Sequence, residues 1–183
     1  MLTEAGRQLL SAAHALQSAR ASAVQNMQPH TDLPAGTAAR LAIRTSMRNQ
    51  WPCVVTGIEV QGHLVRVHLR AEASEAFRVR SRITLESAEL LGLRTGIRVQ
   101  ALCKATAVRA VRDSKDTAVD ADGFNAWNGS VTRISRGSLG DEITAALGAT
   151  LQIVGFSAPG EGLRVRSRVV LKVDESAIVL ALD

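Results

Sequence analysis

The sequence has little that is aromatic: 3% of its 183 residues are Phe or Trp, and none is Tyr. Proteins that take up single-stranded nucleic acid stack bases on aromatic rings, so this scarcity argues against that class. Cysteine is scarce as well. Cys53 and Cys103 lie in apolar runs and form no C-x-x-C, which reads as reduced, partly buried thiols in a cytosolic protein. No apolar run approaches the roughly 18 residues that a membrane span needs. The opening Met1-Leu2-Thr3-Glu4 is neither basic nor followed by an apolar stretch, so no signal peptide is expected. The sequon-like Asn128-Gly129-Ser130 therefore carries no meaning. There is no G-x-x-x-x-G-K-[ST], which excludes a P-loop ATPase. No paired carboxylates, Ser/His/Asp set or metal-ligand cluster stands out, and His63 and His68 keep polar company. An enzyme is not expected.

What is present is a globular composition, 46% hydrophobic and 21% charged, with a formal charge of +5. The length suits one ordinary domain or two small ones. The basic balance is compatible with phosphate, nucleic acid or a small anion and selects none of them. The arginines are scattered singly between apolar neighbours, as on solvated strand faces.

Residues 3–28 read as a helix with Thr3 as N-cap and Glu4 in the first turn. Leu2, Leu9, Leu16 and Ala23, with Ala5, Ala12 and Ala19, make a Leu/Ala seam at heptad spacing, suited to a dimer helix. Residues 29–42, with Pro29, Pro34 and Gly36, read as a linker. Residues 43–112 then carry alternating runs: 51–60, 63–69, 77–83, 98–103 and 107–111, with a short helix over 85–91 ended by Gly92. A second polar linker covers 113–123. Residues 124–183 partly repeat the first unit. Asn49-Gln50-Trp51 aligns with Asn125-Ala126-Trp127, and Lys104-Ala105-Thr106 with Asp174-Glu175-Ser176. A duplicated five-stranded unit of about 60 residues implies two small barrels, each marginal alone. Five strands with a helix between the third and fourth fit an OB-like barrel. The expected fold is thus mainly β: two tandem OB-like five-stranded barrels preceded by an N-terminal α-helix.

Three clusters in the first unit could donate to a compact oxyanion, which only accepts. Ser46, Met47 and Arg48 precede its first strand. Thr84 caps the short helix, where the amides near Ser87 are free. Lys104, Ala105 and Thr106 form the turn between its last two strands. Each cluster alone is an ordinary turn or cap. The duplication sharpens the case, because the second unit has Asp122, Phe124 and Asp174 in place of Ser46, Arg48 and Lys104. Acids there would repel an oxyanion, so only the first unit keeps the donors.

These stretches resemble known signatures. Thr45-Ser46-Met47-Arg48-Asn49-Gln50-Trp51 resembles the T-S-A-R-N-Q-[WFL] of molybdate-binding Mop/TOBE domains. Leu102-Cys103-Lys104-Ala105-Thr106-Ala107-Val108 resembles their [LI]-[IV]-K-[AS]-[ST]-x-V, and Ile83-Thr84-Leu85-Glu86-Ser87 their I-T-x-x-S. The tandem arrangement resembles the C-terminal half of molybdate-dependent transcriptional regulators, and residues 2–10 resemble the end of their winged helix-turn-helix domain. The resemblance implies a homodimer that binds molybdate, with tungstate as substitute, at its interface. It implies that Ser46, Met47 and Arg48 of one subunit meet Thr84, Ser87, Lys104, Ala105 and Thr106 of the other. Met47 replaces the usual Ala, so that contact would be made by backbone. DNA would be read only through an upstream winged helix-turn-helix domain that the chain lacks. The expectation is therefore a molybdate sensor module of such a regulator, with a stand-alone storage protein as the alternative.

Overall fold

The computed structural model describes residues 45–113 and 122–182. The helix expected over 3–28, its heptad seam, the linker over 29–42 and most of the linker over 113–123 lie outside the described residues. Thr45–Asp183 forms one compact unit.

The unit is mainly β. Its first half runs β1 (Asn49–Gln61), β2 (Leu64–Ala71), β3 (Arg78–Thr84), α1 (Leu85–Leu90), β4 (Arg98–Cys103), a 3-10 turn at Ala105–Ala107 and β5 (Arg109–Arg112). The second half runs β6 (Phe124–Ser135), β7 (Asp141–Leu147), β8 (Leu151–Ser157), β9 (Arg168–Asp174), a 3-10 turn at Glu175–Ala177 and β10 (Val179–Ala181). Alternation builds the strands: in β2, Val65, Val67, Leu69 and Ala71 are buried, while Arg66, His68 and Arg70 between them reach the surface. Gly62, at φ +62°, makes the β1–β2 hairpin turn, a conformation that a side chain disfavours. Thr84 accepts the Ser87 amide and starts α1.

The pairing of strands departs from the expectation in one respect. Residues 107–111 were expected to complete the first barrel, but β5 pairs with β9 and β8 of the second. In return β10 pairs with β4 of the first. The sheets are ordered β10-β4-β1-β2-β3 and β5-β8-β7-β6-β9, the latter closed into a barrel. In the first sheet, the Ser81 hydroxyl donates to the Ile178 carbonyl at 2.7 Å and bridges β3 to the segment before β10. The fold is therefore two OB-type, barrel-like five-stranded units, the second of them closed, that exchange their last strands. Periodicity identifies a strand but not the sheet it joins. Here each 3-10 turn carries the chain across to the other barrel.

The repeat reappears as matched contacts. Asn49, fully enclosed, donates to the Val154 carbonyl and accepts the Val154 amide, both at 2.8 Å. Its counterpart Asn125 does the same to Arg80, at 2.8 and 2.7 Å. Each side-chain amide mimics a strand neighbour and ties one barrel to the other, satisfying backbone groups that burial would otherwise leave unpaired. Between these ties Trp51, Phe77 and Trp127 meet with ring centroids 5.1–5.8 Å apart. Three of the five aromatic residues thus lie in one cluster contributed by both halves.

Candidate anion site

Asn49 pairs with Cys103 at the end of the β1–β4 ladder. Arg48 and Lys104 therefore leave the two strands side by side. The lead-in is held locally: the Met47 amide donates to Thr45 Oγ1 at 3.4 Å, and Gln50 Nε2 donates to the Met47 carbonyl at 3.0 Å. Ser46, Arg48, Lys104 and Thr106 are exposed, Met47 is half-buried and Ala105 is buried. The turn is closed by Ala107 N–H to the Lys104 carbonyl and Val108 N–H to the Ala105 carbonyl.

The corresponding turn in the second half shows what this backbone attracts. There the Asp174 carboxylate accepts the Ser176 amide at 2.7 Å and pairs with Arg82 at 3.2 Å. The hydrogen bonds from Ser176, and then the Arg82 charge, hold the Asp174 carboxyl below the usual range. In the first half the same position is Lys104, which makes no capping bond. One turn thus carries its own anion; the other carries a cation in its place.

Thr84 and Ser87 fall in a second set. Thr84 Oγ1 accepts the Ser87 amide at 3.1 Å, and the two hydroxyls lie 2.8 Å apart. Within the chain β3 runs along the second half's turn, through Arg82–Asp174 and Ser81–Ile178. The structure therefore brings 46–48 together with 104–106 in one chain and leaves 84 and 87 apart.

Two further groups of residues were not legible beforehand. Arg48 forks onto Glu142 of β7, Nη1 to Oε2 at 3.2 Å and Nη2 to Oε1 at 3.5 Å. Glu175, the counterpart of Ala105, is fully buried. Arg66 Nε donates to its Oε2 at 2.9 Å, and Arg80 Nε makes an ionic contact with its Oε1 at 3.0 Å. Arg66 also holds Asp122 at 2.8 Å. The 76-residue offset between Asn49 and Asn125 was the available signal, since it carries Arg66 onto Glu142.

Cys103 beside the turn is buried, and burial pushes its thiol up to about 11; burial and then the Glu72 charge push Cys53 up to about 12. Both are neutral thiols at neutral pH and not nucleophiles. Among the described residues no group of three or more His, Cys, Asp or Glu could hold a metal ion, and no helix is long and apolar enough to cross a membrane.

Residues 45–110 match the family model of the TOBE domain. That span, and not the whole chain, is what resembles a TOBE domain. The matched span holds every one of the expected donors, Ser46 to Thr106, and ends within β5, on the far side of the strand exchange. The second half repeats the strand order of the matched span, with Phe124 and Asp174 in place of Arg48 and Lys104. Over 193 aligned positions the chain is 26% identical to the molybdenum transport protein ModE of Azotobacter vinelandii, covering 99% of this chain and 70% of that protein. In fold it is similar to a crystal structure of the cytoplasmic molybdate-binding protein ModG in a form with molybdate bound. The TM-score is 0.70 and the identity 24%, over 77% of this chain and 100% of that one.

Proposed function

We propose that this protein binds molybdate, with tungstate as an equivalent, and acts as the sensor half of a molybdate-responsive transcriptional regulator. Ser46, the Met47 backbone, Arg48, Lys104, Ala105 and Thr106 come from one subunit. Thr84 and Ser87 of a second copy complete the donor set at a homodimer interface. One observation carries this reading: the Asp174 carboxylate sits on the Ser176 amide in one turn, while the equivalent Thr106 turn has Lys104 and Arg48 beside it. A backbone that takes up an internal carboxylate in one copy suits an external oxyanion in the copy that lacks it. Likeness to ModE and ModG, both named for molybdenum or molybdate, supports the choice of ligand.

The alternative is a stand-alone storage protein. Its fold would be the same, since the likeness to ModG, which covers all of that chain, is one of fold alone. Stoichiometry separates the two: a sensor should take up about one anion per subunit, a storage protein several per dimer. The test is a titration with sodium molybdate followed by Trp51 emission and by thermal stability, with tungstate and phosphate as comparisons. Molybdate and tungstate should bind at micromolar levels. Phosphate, partly protonated at pH 7, should bind poorly to a site made only of donors. Lys104→Ala should weaken molybdate binding by about 1.5–3 kcal/mol, through loss of a charged donor. Unchanged emission and unchanged melting in molybdate would refute the proposal.

A further inference from the structure

Glu142 lies 94 residues from Arg48 in sequence, yet its two carboxylate oxygens face the two Nη atoms of the guanidinium. The Arg48 side chain is 53% exposed and that of Glu142 25%. An isolated pair this open is ordinarily incidental. The other junction argues that this one is not. Arg66 and Glu142 hold equivalent strand positions: Arg66 pairs with Arg82 across β2–β3, as Glu142 does with Phe156 across β7–β8. Arg66 reaches Asp122 and Glu175, which occupy the positions of Ser46 and Ala105. At both junctions, then, the same strand position contacts the segment leading into the opposite barrel, with the charges reversed. One junction is closed by a buried carboxylate that cannot leave. The other is held by a half-exposed pair that can.

We propose that Glu142 is a tethered competitor for Arg48. It holds the guanidinium on the second barrel until an external dianion takes it. It thereby sets the affinity of the anion site and couples occupancy to release of residues 45–48 from β7. The inference rests on the molybdate reading above. Carboxylate and molybdate both only accept hydrogen bonds, so they are interchangeable on one guanidinium fork. An exposed pair opposes the ligand by a factor of about 1.5–5 in the binding constant, small enough for a dianion to overcome.

The test is calorimetric titration of sodium molybdate into the full chain as wild type, Glu142→Gln, Arg48→Gln and the double variant, each first checked for an unchanged melting profile. Glu142→Gln should bind about 1.5- to 5-fold more tightly than wild type, and this gain should vanish in the Arg48→Gln background. Equal or weaker binding by Glu142→Gln, with wild type still binding, overturns the competitor role and leaves the molybdate reading standing. A gain that persists without Arg48 also overturns it, because the carboxylate then acts through its field alone. Absence of binding in wild type removes the molybdate reading, and the competitor role with it.

Discussion

Glu175→Gln should destabilise the folded unit substantially while leaving its surface unchanged. The carboxylate is fully buried, and two guanidinium groups from β2 and β3 converge on it at 2.9 and 3.0 Å. Removing one partner of a buried pair typically costs about 3–5 kcal/mol, because the other charge is left without compensation. The cost here is discounted on two grounds. The Arg66 and Arg80 side chains are 20% and 32% exposed, so water can reach them, and Arg66 keeps Asp122. We expect a loss of about 2–3 kcal/mol, a large share of the roughly 5–15 kcal/mol that holds a domain folded. In a unit of this size that corresponds to a melting temperature lower by about 4–12 °C. Glu175 lies in the turn that leads to β10, so amide exchange should accelerate first in β10 and in its neighbour β4. Urea unfolding by tryptophan emission and amide exchange by mass spectrometry measure both effects. A stability within about 0.5 kcal/mol of wild type would refute the claim that this triad closes the second junction.

Other outcomes follow from the same contacts. Asn49→Ala and Asn125→Ala should each cost about 2–4 kcal/mol in urea unfolding, since each strips two bonds from a buried strand and leaves an amide and a carbonyl unpaired. Cys53 and Cys103 should resist alkylation in the native state at pH 8. Their folded pKa values, about 12 and about 11, lie above the ordinary thiol value of 9.0. The neutral thiol is thus favoured only in the fold, so stability is unaffected below about pH 9 and falls as pH rises towards 11–12. Melting scans from pH 7 to 11 should show this decline, and it should flatten in the Cys53→Ala/Cys103→Ala variant.

Much of the fold was legible because β-strand signals are local. Leu64 to Ala71 alternates cleanly, Gly62 and Gly92 mark their turns, and Asn49-x-Trp51 returns as Asn125-x-Trp127. The strand exchange was not legible. Arg109–Arg112 reads as a strand in either sheet, and only the direction in which the turn at Ala105–Ala107 sends the chain decides between them. Of the site, Arg48 and Lys104 could be named because the second copy has Phe124 and Asp174 there. Glu142 and Glu175 could not, since nothing local marks a charge whose partner lies 94 or 109 residues away. The sequence repeat aligns them with Arg66 and Ala105, but only the fold shows which charges they meet.

Because the chain changes barrels at Lys104–Ala107, that short stretch is a hinge pin shared by both bodies. A ligand seated there would lean on β4 of one barrel and β5 of the other at the same moment. Neither half could be excised and still keep its full complement of strands, so the two have to answer such a ligand together.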